Sequence, residues 1–142
     1  MPIRREARFH YPIDWPQISD SVRFGRAKGK CESCGRPHGE KVRCLPDGRW
    51  FDQDSGTWRD GFGQPASWPD IEEACQVKTT RVVLAACHRD HDPTNNRPQN
   101  LAAWCQRCHL RHDRAYHRRQ AWVTIMLRRA LGDLFLGRYR RW

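Results

Sequence analysis

The chain reads as a mixed α+β fold, and three observations predict it. A β-branched apolar run occupies residues 81–86, a Pro- and Asn-rich stretch follows, and Trp122, Ile125, Met126 and Leu134 recur at helical spacing. The run predicts the first strand of a hairpin. Residues 91–100, HDPTNNRPQN, predict its turn. Pro93 and Pro98 cannot continue regular structure there, and the three asparagines of the chain, Asn95, Asn96 and Asn100, tolerate left-handed backbone and bond their own loop. From about Ala102 the spacing predicts a helix through Cys105, His109 and Asp113. A further helix is expected over 115–131, with its apolar stripe packed into the core and Arg118, Arg119, Arg128 and Arg129 largely opposite.

Upstream, an N-terminal arm leads to a short helix, with Asp14 placed as N-cap, Pro16 near the first turn, and Ile18 and Val22 on one face before Gly25 and Gly29. This helix delivers Cys31. Between Glu40 and Lys78 the composition changes: residues 44–77 hold seven acidic groups against two arginines, with Trp50, Phe51, Trp58, Phe62 and Trp68 among Gly, Pro and Asp. That segment reads as an insertion. Within it, RWFD and TWRD flank residues 53–56 and predict a small hairpin with its aromatics on one face, and Ser67-Trp68-Pro69-Asp70 begins a helix of one or two turns ending near Cys75. The insertion is too acidic to bind phosphate, and its aromatics are either a packing layer or a surface for a protein partner. The expected organisation is an arm and helix at 1–30, a core made of 31–38 and 79–114, an insertion at 39–78, and a basic helix and tail at 115–142, within one domain overall.

At 142 residues and 38% apolar content the chain supports only a modest core. Its net charge of +10 is uneven, because residues 81–142 carry thirteen Arg and four Asp while residues 1–80 carry thirteen basic and twelve acidic groups. The C-terminal half is therefore the half that attracts polyanions, and Arg suits bidentate phosphate contacts. A solvated helix face with no partner is the plainer alternative.

Seven cysteines behind an N-terminus, MPIRREARFHYPIDWP, with no apolar core segment argue against a secreted disulfide scaffold. The most apolar stretch, residues 122–127, stops at Arg128 and Arg129, far short of a bilayer. We therefore expect a soluble cytoplasmic protein without a membrane partner. Cys31-x-x-Cys34 and Cys105-x-x-Cys108 supply four thiolates in two short bites, the arrangement by which two knuckles close a tetrahedral structural Zn²⁺. The alternative, redox-active or merely buried cysteines, lacks the βαβ context of a redox CxxC. Cys44 and Cys75 are expected to pack within the insertion, and Cys87 is left over.

Residues 82–109, VVLAACHRDHDPTNNRPQNLAAWCQRCH, place His88, Asn100 and His109 as the three letters of an HNH motif. The chain resembles HNH endonucleases of the ββα-metal (His-Me finger) fold, in particular small Cys-containing members of bacterial and phage genomes. Relatives there often read HHxDxDxxNNxxxNLxxLCxxCH. Cys87, His88, Asp90, Asp92, Asn95, Asn96, Asn100, Leu101, Cys105, Cys108 and His109 fall in that register, with Cys87 departing from the pattern. The resemblance covers residues 31–34 and about 82–113.

The resemblance implies a metal-dependent nuclease acting on DNA with a catalytic divalent metal (Mg²⁺, Mn²⁺, Ni²⁺ or Zn²⁺) and leaving 5′-phosphate and 3′-hydroxyl ends. It implies His88 as general base, His109 as metal ligand, and Asn100 as the residue that fixes the loop and orients the base. Many relatives place Asp or His immediately before the base as a ligand, where this chain has Cys87, and a thiolate suits Mg²⁺ poorly. His91, Asp90 and Asp113 are the further candidate ligands, Asp113 lying four residues after His109. Arg89, Arg118, Arg119, Arg128 and Arg129 are the candidate nucleic-acid contacts. The rival reading is a non-catalytic zinc-containing module that binds nucleic acid or protein, motivated by Cys87. His10, His38, His112 and His117 are read as structural.

Overall fold

The computed structural model describes residues 9–136, with side chains to residue 129. The arm at 1–8 and the basic tail at 138–142 lie outside the described residues, as does the side chain of Leu134. The chain is mixed α+β and divides into two compact units, Met1–His109 and Leu110–Trp142.

The first unit opens with α1 (Trp15–Asp20), which continues as a π-helical segment, Ser21–Arg26. Asp14 sits at the N-cap without a side-chain cap bond, and the proline stands in the first turn. Val22, Trp15, Ile18 and Ala27 pack against Leu101, Ala103 and Ala86. The chain then turns through Lys28 and Gly29, both at positive φ, and reaches Cys31 as expected.

Next come β1 (Lys41–Cys44), β2 (Trp50–Asp52), β3 (Thr57–Arg59), α2 (Ile71–Ala74) and β4 (Lys78–Arg81). The strands form one antiparallel sheet in the order β3-β2-β1-β4, so the two ends of the segment pair with each other. The hairpin at 53–56 forms as the sequence predicts, and α2 carries a capping box between Asp70 and Glu73. Its aromatics do not share one face. Phe51 and Trp58 lie opposite each other and gather with Trp68 at ring distances of 5.7 and 6.0 Å, whereas Trp50 is buried with Val42 among the knuckle cysteines. Strand alternation sends neighbours 50 and 51 to opposite faces. Cys44 packs against the core, but Cys75 is exposed at the end of α2.

The second sheet is a hairpin of β5 (Leu84–His88) and β6 (Leu101–Cys105), with His88 opposite Leu101 and Cys87 opposite Ala102. The apolar run at 81–86 is therefore split: Arg81 ends β4, Val82 bridges, and β5 begins at Leu84. His38 Nδ1 fixes that start by accepting the Leu84 N–H at 2.9 Å.

The sequence places a helix from Ala102, and the structure has a strand there. LAAWC has high helix propensity, yet all five residues are buried. Leu101 and Ala103 face the N-terminal helix while Ala102, Trp104 and Cys105 face the knuckle cluster. Pairing on one edge and cover on both faces override local preference, and the alanines permit the close approach. One continuous helix, α3 (Gln106–Leu136), replaces the two expected helices. Gln106 seats its start by accepting from Val83 N at 3.0 Å and donating to Arg81 O at 2.6 Å.

In the second unit the apolar stripe of α3 is not core. Trp122, Ile125 and Met126 are 61%, 49% and 36% exposed. Periodicity reports which residues share a face, not whether that face is covered. Among the described residues, no helix is long and apolar enough to cross a membrane.

Glu32 ties the knuckle to β6. Its N–H donates to Ala103 O and its carboxylate accepts the Ala103 N–H, both at 2.9 Å. Arg26 forks onto the same carboxylate at 2.7 and 2.9 Å and donates to Pro98 O and Leu101 O. Partial burial raises the Glu32 pKa, but the Arg26 and Ala103 bonds outweigh it and hold the group below its usual range. Glu32→Gln should therefore lose about 2 kcal/mol in urea unfolding near neutral pH. A depressed folded pKa gives stability that is full above the unfolded value near 4.5 and fades as pH falls through the folded one. The gap between the two proteins should accordingly narrow below pH 4.5.

Candidate functional site

Four sulfurs meet inside the first unit. The Sγ atoms of Cys31, Cys34, Cys105 and Cys108 all lie within 4.8 Å of one another, every residue is buried, and no disulfide joins them. The first pair is presented by a turn in which Gly35, at φ +78°, donates its N–H to Cys31 O at 2.8 Å. The second pair spans the β6–α3 junction. Gly63 of the 39–78 segment, at φ +86°, approaches so closely that a Cβ there would stand 2.9 Å from Cys34 O. A side chain at 63 would displace the knuckle.

The donor set fits a structural metal such as zinc, because four thiolates in two bites match tetrahedral coordination and the surroundings supply N–H groups to sulfur. The Cys105 N–H donates to Cys31 Sγ at 3.3 Å, and the Arg36 guanidinium approaches Cys34 Sγ at 4.0 Å. Contact with Cys105 raises the Cys31 pKa, but Cys108 and Cys34 lower it further, to about 6. Among the sulfurs alone, contact also lowers the Cys105 pKa and raises those of Cys34 and Cys108.

The second assembly is the loop between β5 and β6. His88, half-buried at the end of β5, stacks on Trp15 at 5.1 Å with 16° between the planes, and Tyr11 meets its edge at 5.7 Å. Its Nε2 lies 2.9 Å from Asn96 Oδ1. The Asn96 Nδ2 donates to Pro93 O and Thr94 O, which orients the amide so that its oxygen faces the imidazole. An oxygen acceptor requires a proton on Nε2, so in the neutral ring the lone pair resides on Nδ1.

The Asn100 side chain bonds the loop. Its Nδ2 donates to Asp90 Oδ1 and Asn95 O at 2.8 Å, and its Oδ1 accepts the Asp90 N–H at 3.3 Å. Asp90 also takes the Asp92 N–H at 2.9 Å and Asn95 Nδ2 at 2.7 Å. The Asp92 amide, then Asn100 and Asn95, lower its pKa to about 2. Both oxygens of Asp90 are thus engaged in holding the loop. His91, at φ 63°, is a left-handed non-glycine within it.

Cys87 faces away from His88. Alternation along β5 turns its sulfur into the cluster that contains the knuckle cysteines, where it donates to Ala85 O at 3.4 Å. His109 is half-buried in the first turn of α3, next to Cys108. In the second unit Asp113 bonds His112 at 3.0 Å and lies 3.7 Å from His117 Nε2. The exposed Arg89 sits over the Trp104 ring at 5.4 Å, and Arg118, Arg119, Arg128 and Arg129 are exposed on α3.

Reasoning on sequence missed Asn96, Trp15, Tyr11 and Arg36. Asn96 was legible only as the second member of an Asn pair. The two aromatics lie more than seventy residues from His88, beyond any local pattern. No protein family, curated protein or solved structure matches the chain.

Two outcomes follow from these geometries. Purified protein should hold about one zinc per chain by elemental analysis, and Cys34→Ser should lose both the metal and the cooperative thermal transition. A folded sample free of zinc would remove the metal from this centre. By NMR the Asp90 carboxylate should titrate at about 2, and Asn100→Ala should move it upward toward the ordinary aspartate value of 3.8. Because the folded pKa is depressed, the loop contribution of Asp90 is full above 3.8 and is lost as pH falls through about 2.

Proposed function

We propose that the chain is an HNH-type endonuclease of the ββα-metal fold, hydrolysing DNA phosphodiester bonds with a divalent metal and a histidine general base. The observation that carries this reading is His88, held by Trp15 and Asn96 with its lone pair on Nδ1. A histidine so fixed can take the proton of an attacking water, which is the demand phosphodiester hydrolysis places on a base. Trp15 and Tyr11 limit the ring's rotation, and Asn96 stabilises the imidazolium less than a carboxylate would, so the proton taken can be passed on.

The hairpin β5–β6 running directly into α3 provides the strand, loop and helix on which the motif's three letters stand. Asn100 and Asp90 act here as loop builders, keeping residues 89–100 in the conformation that presents His88. A bound divalent metal would neutralise charge developing on the phosphate and the leaving oxygen. His109, His91 and Asp113 are the candidate residues to hold it, since Asp90 is occupied in the loop. The exposed arginines of α3 suit the DNA backbone.

One set of observations favours the second reading, a non-catalytic zinc-containing module. Cys87 is turned into the core and Asp90 is committed to the loop, which thins the ligand set. Phe62, Trp68 and Ile71, at 64%, 66% and 86% exposure, would then offer a protein partner an apolar surface on the 39–78 segment.

Supercoiled-plasmid cleavage across Mg²⁺, Mn²⁺, Ni²⁺ and Zn²⁺ separates the two. The wild-type chain should cut with at least one of these ions. His88→Ala should lower the rate by about 10²- to 10⁴-fold while keeping zinc content and salt-dependent DNA binding. Undiminished cleavage by His88→Ala would sink the catalytic assignment. DNA binding without cleavage under every ion would establish the binding module.

A further inference from the structure

Among the described residues, Arg36 is the one arginine of the first unit that is buried, at 3% exposure, and it pairs with no carboxylate there. A guanidinium so placed is costly. It cannot shed its proton, and burial of an unpaired cation carries a large desolvation penalty. Outside the cysteine cluster its partners are one carbonyl, Gly48 O at 3.0 Å, and the Trp50 ring at 5.5 Å. Neither carries a full negative charge. Its Nε has no acceptor at all, and the neighbouring Trp50 Nε1 is likewise buried without one.

The cysteine cluster presents the opposite imbalance. Four thiolates around a dication leave a net charge of about −2 inside the protein, and a buried anion is as unfavourable as a buried cation. Arg36 stands beside it: the residue follows Cys34 by two positions, and its Nη1 lies 4.0 Å from Cys34 Sγ. The Arg36 backbone carbonyl also accepts the Cys31 N–H at 2.9 Å, so its position is tied to the knuckle turn itself. The two uncompensated charges are therefore neighbours.

We propose that Arg36 is the counter-charge of the metal–tetrathiolate centre: it retains the metal by neutralising the excess charge on the four sulfurs. The proposal rests on the cysteine cluster holding a divalent metal and is independent of the nuclease reading. It assigns Arg36 to metal retention and separates it from the exposed arginines of α3 that suit a polyanion. Removing the charge raises the free energy of the metal-bound centre, whose excess negative charge would then lack its neighbouring cation.

The test compares Arg36→Gln, which keeps hydrogen-bonding capacity toward Gly48 O but no charge, with Arg36→Lys, which keeps the charge on a different shape. Zinc affinity is read as the free zinc at which half the chain is folded, in a chelator-buffered refolding titration followed by tryptophan fluorescence. This readout gives a value even for a variant that is unfolded without metal. Arg36→Gln should need about 10- to 100-fold more free zinc than wild type, the range typical of lost outer-shell partners, and Arg36→Lys markedly less of an increase. A Gln variant that folds at no zinc concentration, beside a Lys variant that does, also supports the charge. Equal affinity for Gln and wild type overturns the proposal, as does failure of both variants to fold at saturating zinc, which would show that shape and not charge is required. Wild-type protein that folds identically with and without zinc would overturn the metal centre itself, a distinct result.

Discussion

The meeting of residues 31–34 with residues 105–108 is the constraint on which the remainder of the first unit depends. It joins two segments more than seventy positions apart, and the loop-closure entropy of that contact must be offset by something stronger than a few apolar side chains. Four sulfurs within 4.8 Å supply a site for a metal that would do so. Glu32 adds a second fastening between the same segments, and Arg26 extends it to the loop that precedes β6. The long segment 39–78 is built onto this junction. Val42 and Trp50 complete the cluster, and Gly63 touches the backbone of Cys34.

The hairpin β5–β6 inherits its order from that junction. Because Cys105 ends β6, anchoring the sulfur anchors the register of the strand, and a slip of one residue would turn Ala102 and Trp104 toward the N-terminal helix. The same register places His88 on the helix-facing side, where Trp15 and Tyr11 receive it. Cys87 falls on the other side by alternation. Cys87 is thus a packing residue of this core.

The loop between the strands is organised by short polar side chains. Asp90 collects the amide of Asp92 and the side chains of Asn95 and Asn100, while Asn96 faces outward from that knot to His88. A division of labour results in which Asn100 shapes the backbone and Asn96 sets the tautomer of the ring. Such a network is satisfied internally and needs no apolar burial.

Sequence by itself determined the cysteine pairs, the hairpin turn at 91–100, the short hairpin within 39–78 and the capped turn at Asp70, since each rests on residue types at short spacing. It also marked His88 and Asn100 as residues of interest. Only the tertiary structure decided the rest. LAAWC became a strand because β5 and covered faces were available to it, against its own propensity. The spacing in α3 marked an apolar face but left its burial undecided. Asn96, Trp15 and Arg36 acquired their places from partners distant in sequence or from burial, and those are properties of the assembled chain. Local preference is carried by neighbouring residues, whereas burial, register and charge compensation depend on what the chain brings together.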